Sequence, residues 1–391
     1  MNAKRIVLYI FCMVLVAGLV IAGVMVLRIR SAASNPVSVF FGDEIVVPEA
    51  QIGDEPVIRQ VDLVRNEKSY AKKENILSIA VLGRDATPVE ERRDDGGNTD
   101  IMIVMAIDLT TGEIRAISIP RDSVAHIYHY KYQKPVIDND YFDKLNGAYG
   151  AGGPGNEDEV QLANSVACIE EHLNTFGTYD IKISNYVEIG LTGLRELTDY
   201  VGGVEVTLNN GIPGVGSKGQ TVTLSGKTAM TFVRDRHNSG GDLGRVSNSQ
   251  MYIKALARKL QSMGVVEIAP KIASTMVSKN LMRTDLKVEE IGALAGLLAN
   301  VDVDAISMNT IPAVEASNIG DFKSHLKGYS YDYEAFYGEK KRSYDDETLY
   351  ESKKWSKLDI KEGDEYDFGF FTEYDELERI MLEIYYEEIV Q

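Results

Sequence analysis

The sequence predicts an α/β protein: an α/β/α sandwich with a central mixed β-sheet, preceded by one N-terminal transmembrane helix. Three observations predict it. Ile6 to Leu27 runs for 22 residues without a charge, about what roughly 30 Å of hydrocarbon requires at about 1.5 Å per residue. Three compact apolar runs, Ile76 to Leu82, Ile101 to Ile107 and Ile114 to Ile119, follow one another closely and read as core strands. Beyond residue 158, segments with helical spacing alternate with short apolar runs, as helices layered on a sheet would.

The apolar stretch 6–27 follows a short N-terminal tail, 1–5. Its core is longer than that of a cleaved signal peptide, and it leaves through Val26-Leu27-Arg28-Ile29-Arg30 without a small-x-small exit, so it reads as a retained anchor. Lys4 and Arg5 on one side nearly balance Arg28 and Arg30 on the other, so charge leaves its orientation open. Residues 28–74, broken by Pro36, Pro48 and Pro56, read as a stalk.

One domain is expected over 75–315. The second and third strands are joined by Asp108-Leu109-Thr110-Thr111-Gly112-Glu113, short enough for a hairpin, which makes part of the sheet antiparallel. Helical spacing then covers Asp158 to Phe176, Leu191 to Tyr200, Gly226 to Phe232, Leu243 to Met263, Val266 to Val277 and Val288 to Leu298. Strands are expected at Ile181 to Val187, Val204 to Leu208 and Ile306 to Ile311. Residues 316–391 form an acidic, Tyr-rich extension ending in an amphipathic pattern from Tyr374, with no functional reading.

A net charge of -18 argues against nonspecific nucleic-acid binding and gives weight to local basic clusters. Cys12 lies in the anchor, so Cys168 is alone in the remainder and no internal disulfide is possible there. His126, His129 and His237 lack acidic or cysteine partners at metal-binding spacing.

Three clusters carry chemistry. Leu82-Gly83-Arg84-Asp85 ends the first strand and Asn98-Thr99-Asp100 begins the second. Neighbouring strand ends bring Asp85 and Asp100 within reach of one Mg²⁺, which takes one or two carboxylates plus phosphate oxygens and water; two aspartates also suit turn caps. Arg121, in Ile119-Pro120-Arg121-Asp122-Ser123, follows a buried strand, where its fork can hold a phosphate or merely pair with Asp122. Arg234, Arg236 and Arg245 lie within twelve residues. On a continuous helix Arg234 and Arg236 would face about 200° apart, so their convergence needs extended chain between them. Such a cluster suits a diphosphate whose charge moves during transfer, or else a solvated loop.

Taken in order, these segments resemble the LytR-CpsA-Psr family, whose members are anchored bacterial proteins of the cell wall. The likeness covers about residues 75 to 262. It rests on Val81-Leu82-Gly83-Arg84-Asp85, Thr99-Asp100-Ile101-Met102, Ser118-Ile119-Pro120-Arg121-Asp122, Lys144-Leu145-Asn146-Gly147-Ala148-Tyr149, Val201-Gly202-Gly203-Val204, and Val233-Arg234-Asp235-Arg236 through Asp242-Leu243-Gly244-Arg245. The resemblance implies a Mg²⁺-dependent phosphotransferase that moves a glycopolymer from a polyprenyl-pyrophosphate carrier to peptidoglycan or another wall acceptor. It implies Asp85 and Asp100 as metal ligands, and Arg121, Arg234, Arg236 and Arg245 as catalytic and phosphate-binding groups. Lys144 and Arg84 would add phosphate contacts, and Asp242 would orient arginines. It further implies an apolar pocket for the polyprenyl tail, a cytoplasmic N-terminus and an external domain in a Gram-positive-type envelope.

The chain departs from the family pattern in three places. Asn98 stands where an arginine is usual, Arg84 being the expected substitute, and Asn248-Ser249 stands where Arg-Gln is usual. On a helix Ser249 lies about 40° from Arg245 whereas Gln250 lies about 140° away, so Gln250 is not a simple replacement. Ile101 replaces a common threonine, and the loop between Asp85 and Asp100 is long. These departures leave open a binding or sensor protein of weak or no turnover, and a lipid pyrophosphatase with water as acceptor.

Overall fold

The computed structural model describes residues 28–42, 60–84, 98–127, 129–131, 134–136, 142–152, 158–316, 324–329, 331 and 369–389. The anchor expected at 6–27 lies outside them; among the described residues no helix is long and apolar enough to cross a membrane.

Residues 28–34 are helical and lead into the short α1 (Pro36–Phe41). A hairpin of β1 (Leu63–Arg65) and β2 (Lys68–Lys72) precedes β3 (Ile76–Arg84), which doubles back through β4 (Thr99–Asp108) and β5 (Ile114–Ile119). Short strands β6 (Val124–His126), β7 (His129–Lys131), β8 (Lys134–Val136) and β9 (Phe142–Lys144) follow, pairing β6 with β9 and β7 with β8. Next come α2 (Asp158–Leu173), β10 (Asn185–Gly190), α3 (Leu191–Tyr200), and the hairpin of β11 (Val204–Thr207) and β12 (Thr221–Leu224). The chain continues through α4 (Gly226–Arg234), α5 (Gly241–Ser262), α6 (Val265–Ser278), β13 (Met282–Thr284), α7 (Val288–Asn300), β14 (Ser307–Thr310) and β15 (Ala313–Ala316). It closes with β16 (Gly369–Thr372), α8 (Tyr374–Tyr385) and β17 (Tyr386–Glu388).

Among the described residues the central sheet has the order β13-β10-β3-β4-β5-β14. β3 runs parallel to β10 but antiparallel to β4, and β5 runs antiparallel to β4 but parallel to β14, so the sheet is mixed as expected. The β4–β5 hairpin closes because Asp108 Oδ1 accepts from the amides of Thr110 and Thr111, at 2.8 and 3.0 Å.

Alternation along each strand assigns the two faces. Ala80, Leu82, Met102, Val104, Ile117 and Ile119 pack against α2 and α8, whereas Leu77, Ile79, Ile107 and Ile114 meet residues of α1, α5 and α7. The result is the three-layer sandwich.

Both ends of the expected domain shift. Part of the stalk expected at 28–74 is folded onto the body: β2 is paired on its other side with β17, Tyr386 opposite Lys72. Helix 28–34 lies against α7, where a Cβ on Gly296 would stand 2.5 Å from the Ala33 carbonyl oxygen and one on Gly292 3.0 Å from Ile29 Cγ2. The extension expected from 316 likewise contributes core, since α8 buries Tyr374, Leu377, Ile380, Met381, Ile384 and Tyr385 against the sheet. Each such side chain contributes roughly 1.5–3 kcal/mol.

Candidate active site

The chemistry-bearing residues gather at one end of the sheet. Antiparallel pairing of β3 with β4 sets Arg84, at the end of one strand, opposite Thr99, at the start of the next. Asp100 follows Thr99, and Arg121 lies just beyond β5. Helices α4 and α5 deliver the remaining arginines. α4 is capped by Ser225, and its last residue is Arg234. Asp235 then takes an extended conformation (φ -66°, ψ 124°), the break in helical spacing that convergence of Arg234 and Arg236 requires.

Asp100 is the hub. Arg121 Nη1 donates to its Oδ1 at 2.6 Å, Arg245 Nη1 donates to its Oδ2 at 2.9 Å, and Arg236 Nη2 stands 3.9 Å from Oδ2. Arg245 is buried and Arg236 substantially exposed, with side chains 3% and 41% accessible. Arg121 Nε also lies 3.5 Å from Asp122, whose other oxygen is 4.0 Å from Lys144 Nζ, so Asp122 ties the lysine to the cluster.

A cleft opens beside this hub. Its charged wall is Arg84, Asp100, Arg234 and Arg245, and its apolar wall includes Ile101, Ile189, Leu191, Leu194 and Val233. A cationic rim meeting an apolar wall fits an amphipathic anion.

Arg84 reaches the cleft as half of a buried ion pair. Its Nε donates to Glu188 Oε1 at 2.9 Å, and the two side chains are 3% and 2% exposed. Arg283 approaches the other Glu188 oxygen at 3.6 Å and donates to the Tyr149 hydroxyl at 3.0 Å, while the Arg84 guanidinium lies 5.0 Å from the centre of the Tyr149 ring. The sequence reading missed Glu188 and Arg283. One signal was present: Glu188 is a lone acid within Tyr186-Val187-Glu188-Ile189, and an acid there needs a buried cation.

Asp85, the expected second metal ligand, lies outside the described residues, as does the side chain of Asp242, whose backbone belongs to the first turn of α5. Among the described residues there is no group of three or more metal-binding side chains. Asp100 alone still suits Mg²⁺, which takes as few as one carboxylate when phosphate and water complete its shell. The two arginine hydrogen bonds occupy about two of the roughly four lone-pair sites of that carboxylate. Ser249, where the family pattern has glutamine, turns its hydroxyl back to the Arg245 carbonyl at 2.9 Å. Gln250 points elsewhere, donating to Ser118 Oγ and Thr310 Oγ1 at 2.8 and 3.0 Å.

The model of the LytR_cpsA_psr family matches residues 49–341. The cell wall biosynthesis protein LcpA of Corynebacterium glutamicum is 30% identical over 249 residues, covering 59% of this chain and 46% of that protein. A polyisoprenyl-teichoic acid–peptidoglycan teichoic acid transferase, TagU of Oceanobacillus iheyensis, is 30% identical over 278 residues, covering 68% of this chain and 75% of that one. The chain therefore spans about half the length of the first relative and three quarters of the second. Among solved structures, protein gbs0355 from Streptococcus agalactiae superposes with a TM-score of 0.50 at 22% identity, covering 62% of this chain and 79% of that one, a likeness of fold.

Proposed function

Because this chain belongs to the LytR-CpsA-Psr family, we propose that it is a phosphotransferase moving a glycopolymer from a polyprenyl-pyrophosphate carrier to peptidoglycan or another cell-wall acceptor. The observation that carries this reading is the convergence of Arg121, Arg236 and Arg245 on Asp100 beside a cleft with an apolar wall. Three guanidinium groups gathered at one carboxylate present the forked donors that a diphosphate takes. The transferase names of curated relatives point the same way.

In this reading the apolar wall receives the first isoprene units while Arg121, Arg234, Arg236 and Arg245 hold the pyrophosphate oxygens, with Lys144 at the rim. An acceptor hydroxyl attacks the sugar-linked phosphorus; the new O–P bond forms as the bridging P–O bond breaks, and polyprenyl phosphate leaves. The arginines stabilise charge as it moves to the leaving phosphate, which is most of what a protein contributes to phosphoryl transfer. Mg²⁺, when held by Asp100 and Asp85, would supply further neutralisation of the same oxygens. Arg84 supports the cleft wall through Glu188. The stretch 6–27 is the anchor, with the N-terminus cytoplasmic and the folded body outside.

A second reading, a binding or sensor protein without turnover, is favoured by Ser249, whose hydroxyl is spent on its own helix. Both are tested by titrating the full chain with an undecaprenyl-pyrophosphate-linked disaccharide with and without Mg²⁺, alongside Asp100→Ala, then analysing products with a peptidoglycan acceptor. Binding lost in the variant, with glycan joined to acceptor, supports the transferase. The same binding without product supports the sensor, and release of polyprenyl phosphate and disaccharide phosphate without an acceptor, water supplying the new P–O bond, supports a lipid pyrophosphatase. No saturable binding overturns all three.

A further inference from the structure

Arg236 and Arg245 meet at Asp100 and Arg234 lines the cleft beside them; Arg234 is the last residue of α4, and Arg236 lies in the chain between α4 and α5. The contacts that fix this segment to α5 therefore set where the two arginines stand.

Asn248, on α5 three residues after Arg245, donates through Nδ2 to the carbonyl oxygen of Phe232 at 3.0 Å and to Ser239 Oγ at 2.8 Å. The first acceptor is a carbonyl in the last turn of α4, two residues before Arg234; the second lies three residues after Arg236. One neutral amide therefore spans both sides of the arginine-bearing segment and ties it to the helix carrying Arg245. Ser239 is itself engaged: its hydroxyl donates to Asp235 Oδ2 at 2.6 Å, and Asn238 Nδ2 donates to Asp235 Oδ1 at 2.7 Å. The segment also presses directly on α5, for a Cβ at Gly244 would stand 1.7 Å from the Ser239 carbonyl oxygen. Asn248 is 5% exposed, so these bonds form where water competes poorly and each is costly to lose.

We propose that Asn248 is a positioning residue that sets the spacing of Arg234 and Arg236 relative to Arg245 through a neutral amide. This rests on the site holding a diphosphate. Its consequence is specific: Asn248 acts through the arginines, and its removal weakens anion binding only while they are present.

The experiment is a double-mutant cycle on the full chain with farnesyl pyrophosphate as probe, using wild type, Asn248→Ala, Arg236→Ala and the double variant, with amide exchange of residues 235–240 measured on the same proteins. Asn248→Ala is expected to weaken binding about tenfold, faster exchange is expected over 235–240, and the effect is expected to shrink to less than about twofold in the Arg236→Ala background. Asn248→Asp, of equal size but unable to donate to the Phe232 carbonyl, is expected to be at least as damaging. Equal losses in both backgrounds, or unchanged exchange in Asn248→Ala, would overturn the proposal. If wild type fails to bind the probe, the diphosphate reading falls with this one, and exchange then reports only on the clip. Should either variant fold poorly, Ser239→Ala removes the outer half of the clip alone and is expected to give a smaller loss of the same kind; no loss in that variant, with exchange unchanged, overturns the proposal equally.

Discussion

Asp100 and Glu378 are both mostly buried carboxylates, with side chains 14% and 10% exposed, and both hold arginine. At Glu378 one arginine meets one carboxylate: Arg65 approaches to 2.6 Å, and neutral donors complete the site, Asn66 Nδ2 and the Tyr331 hydroxyl at 2.9 Å and the Tyr179 hydroxyl at 3.5 Å. At Asp100 three arginines, Arg121, Arg236 and Arg245, meet one carboxylate, with Arg234 on the same cleft. On the proposed function, the same pair of residue types makes a staple in one place and a receptor in the other. What separates them is the number of arginines around one carboxylate, together with the neutral donors that complete the staple.

That contrast breaks most visibly on the receptor side. Arg121→Ala is expected to lower single-turnover glycan transfer by about 10²–10³-fold, as loss of a preorganised donor does, while the thermal midpoint moves by only a few degrees. A large fall in midpoint with unchanged turnover would make Asp100 another staple. The converse is expected at Glu378. Glu378→Ala removes the carboxylate that Arg65 holds at 2.6 Å in a mostly buried site and should cost about 3–5 kcal/mol in urea unfolding, with turnover per folded molecule unchanged.

Titration probes the C-terminal elements that carry Glu378. His172 Nε2 lies 3.1 Å from Thr372 Oγ1 on β16, the strand before α8, and burial holds its imidazole down at about 4. The unfolded chain gains this proton near 6.5, the folded one only near 4. Stability is therefore whole above about pH 6.5 and falls as pH drops from there to 4, on the order of 3 kcal/mol in all. His172→Gln should flatten that limb of a pH series of unfolding curves. At the alkaline end burial raises Tyr331 and Tyr385 to about 12, so stability falls as pH rises from about 10 to 12. Tyr385→Phe should remove part of that loss. The smallest effect is expected away from both carboxylates: Gly296→Val should cost about 1 kcal/mol by pushing helix 28–34 off α7, and proteolysis near residue 33 would report the release.

Periodicity made the layers legible in advance: α3 begins and ends where the spacing places it, and the β4–β5 hairpin is written in its turn residues. The arginine clusters were legible too, because Arg121, Arg234 and Arg236 sit at or just beyond the ends of regular elements and Arg245 in the first turns of a helix. Long-range pairing was not. β1, β2 and β17 are too short for their alternation to declare a partner, and Glu378 sits in a helix pattern that reads equally well as a solvated face. The pairing of Arg84 with Glu188 was not legible either, because the two stand 104 residues apart. Gln250 was rightly separated from Arg245 by angle, but its anchoring to Ser118 and Thr310 depends on two strands that helical geometry alone does not locate.

The pairing of β2 with β17 also bears on how the molecule is made. Arg65 and Glu378 stand 313 residues apart in sequence, and α8 fills one side of the central sheet. The β1–β2 hairpin and the α8 face of the sheet therefore wait for partners until residues 374–388 have left the ribosome. Closing so long a loop is slow, and through that interval the strand edges and apolar face stay open to chaperones, proteases and one another.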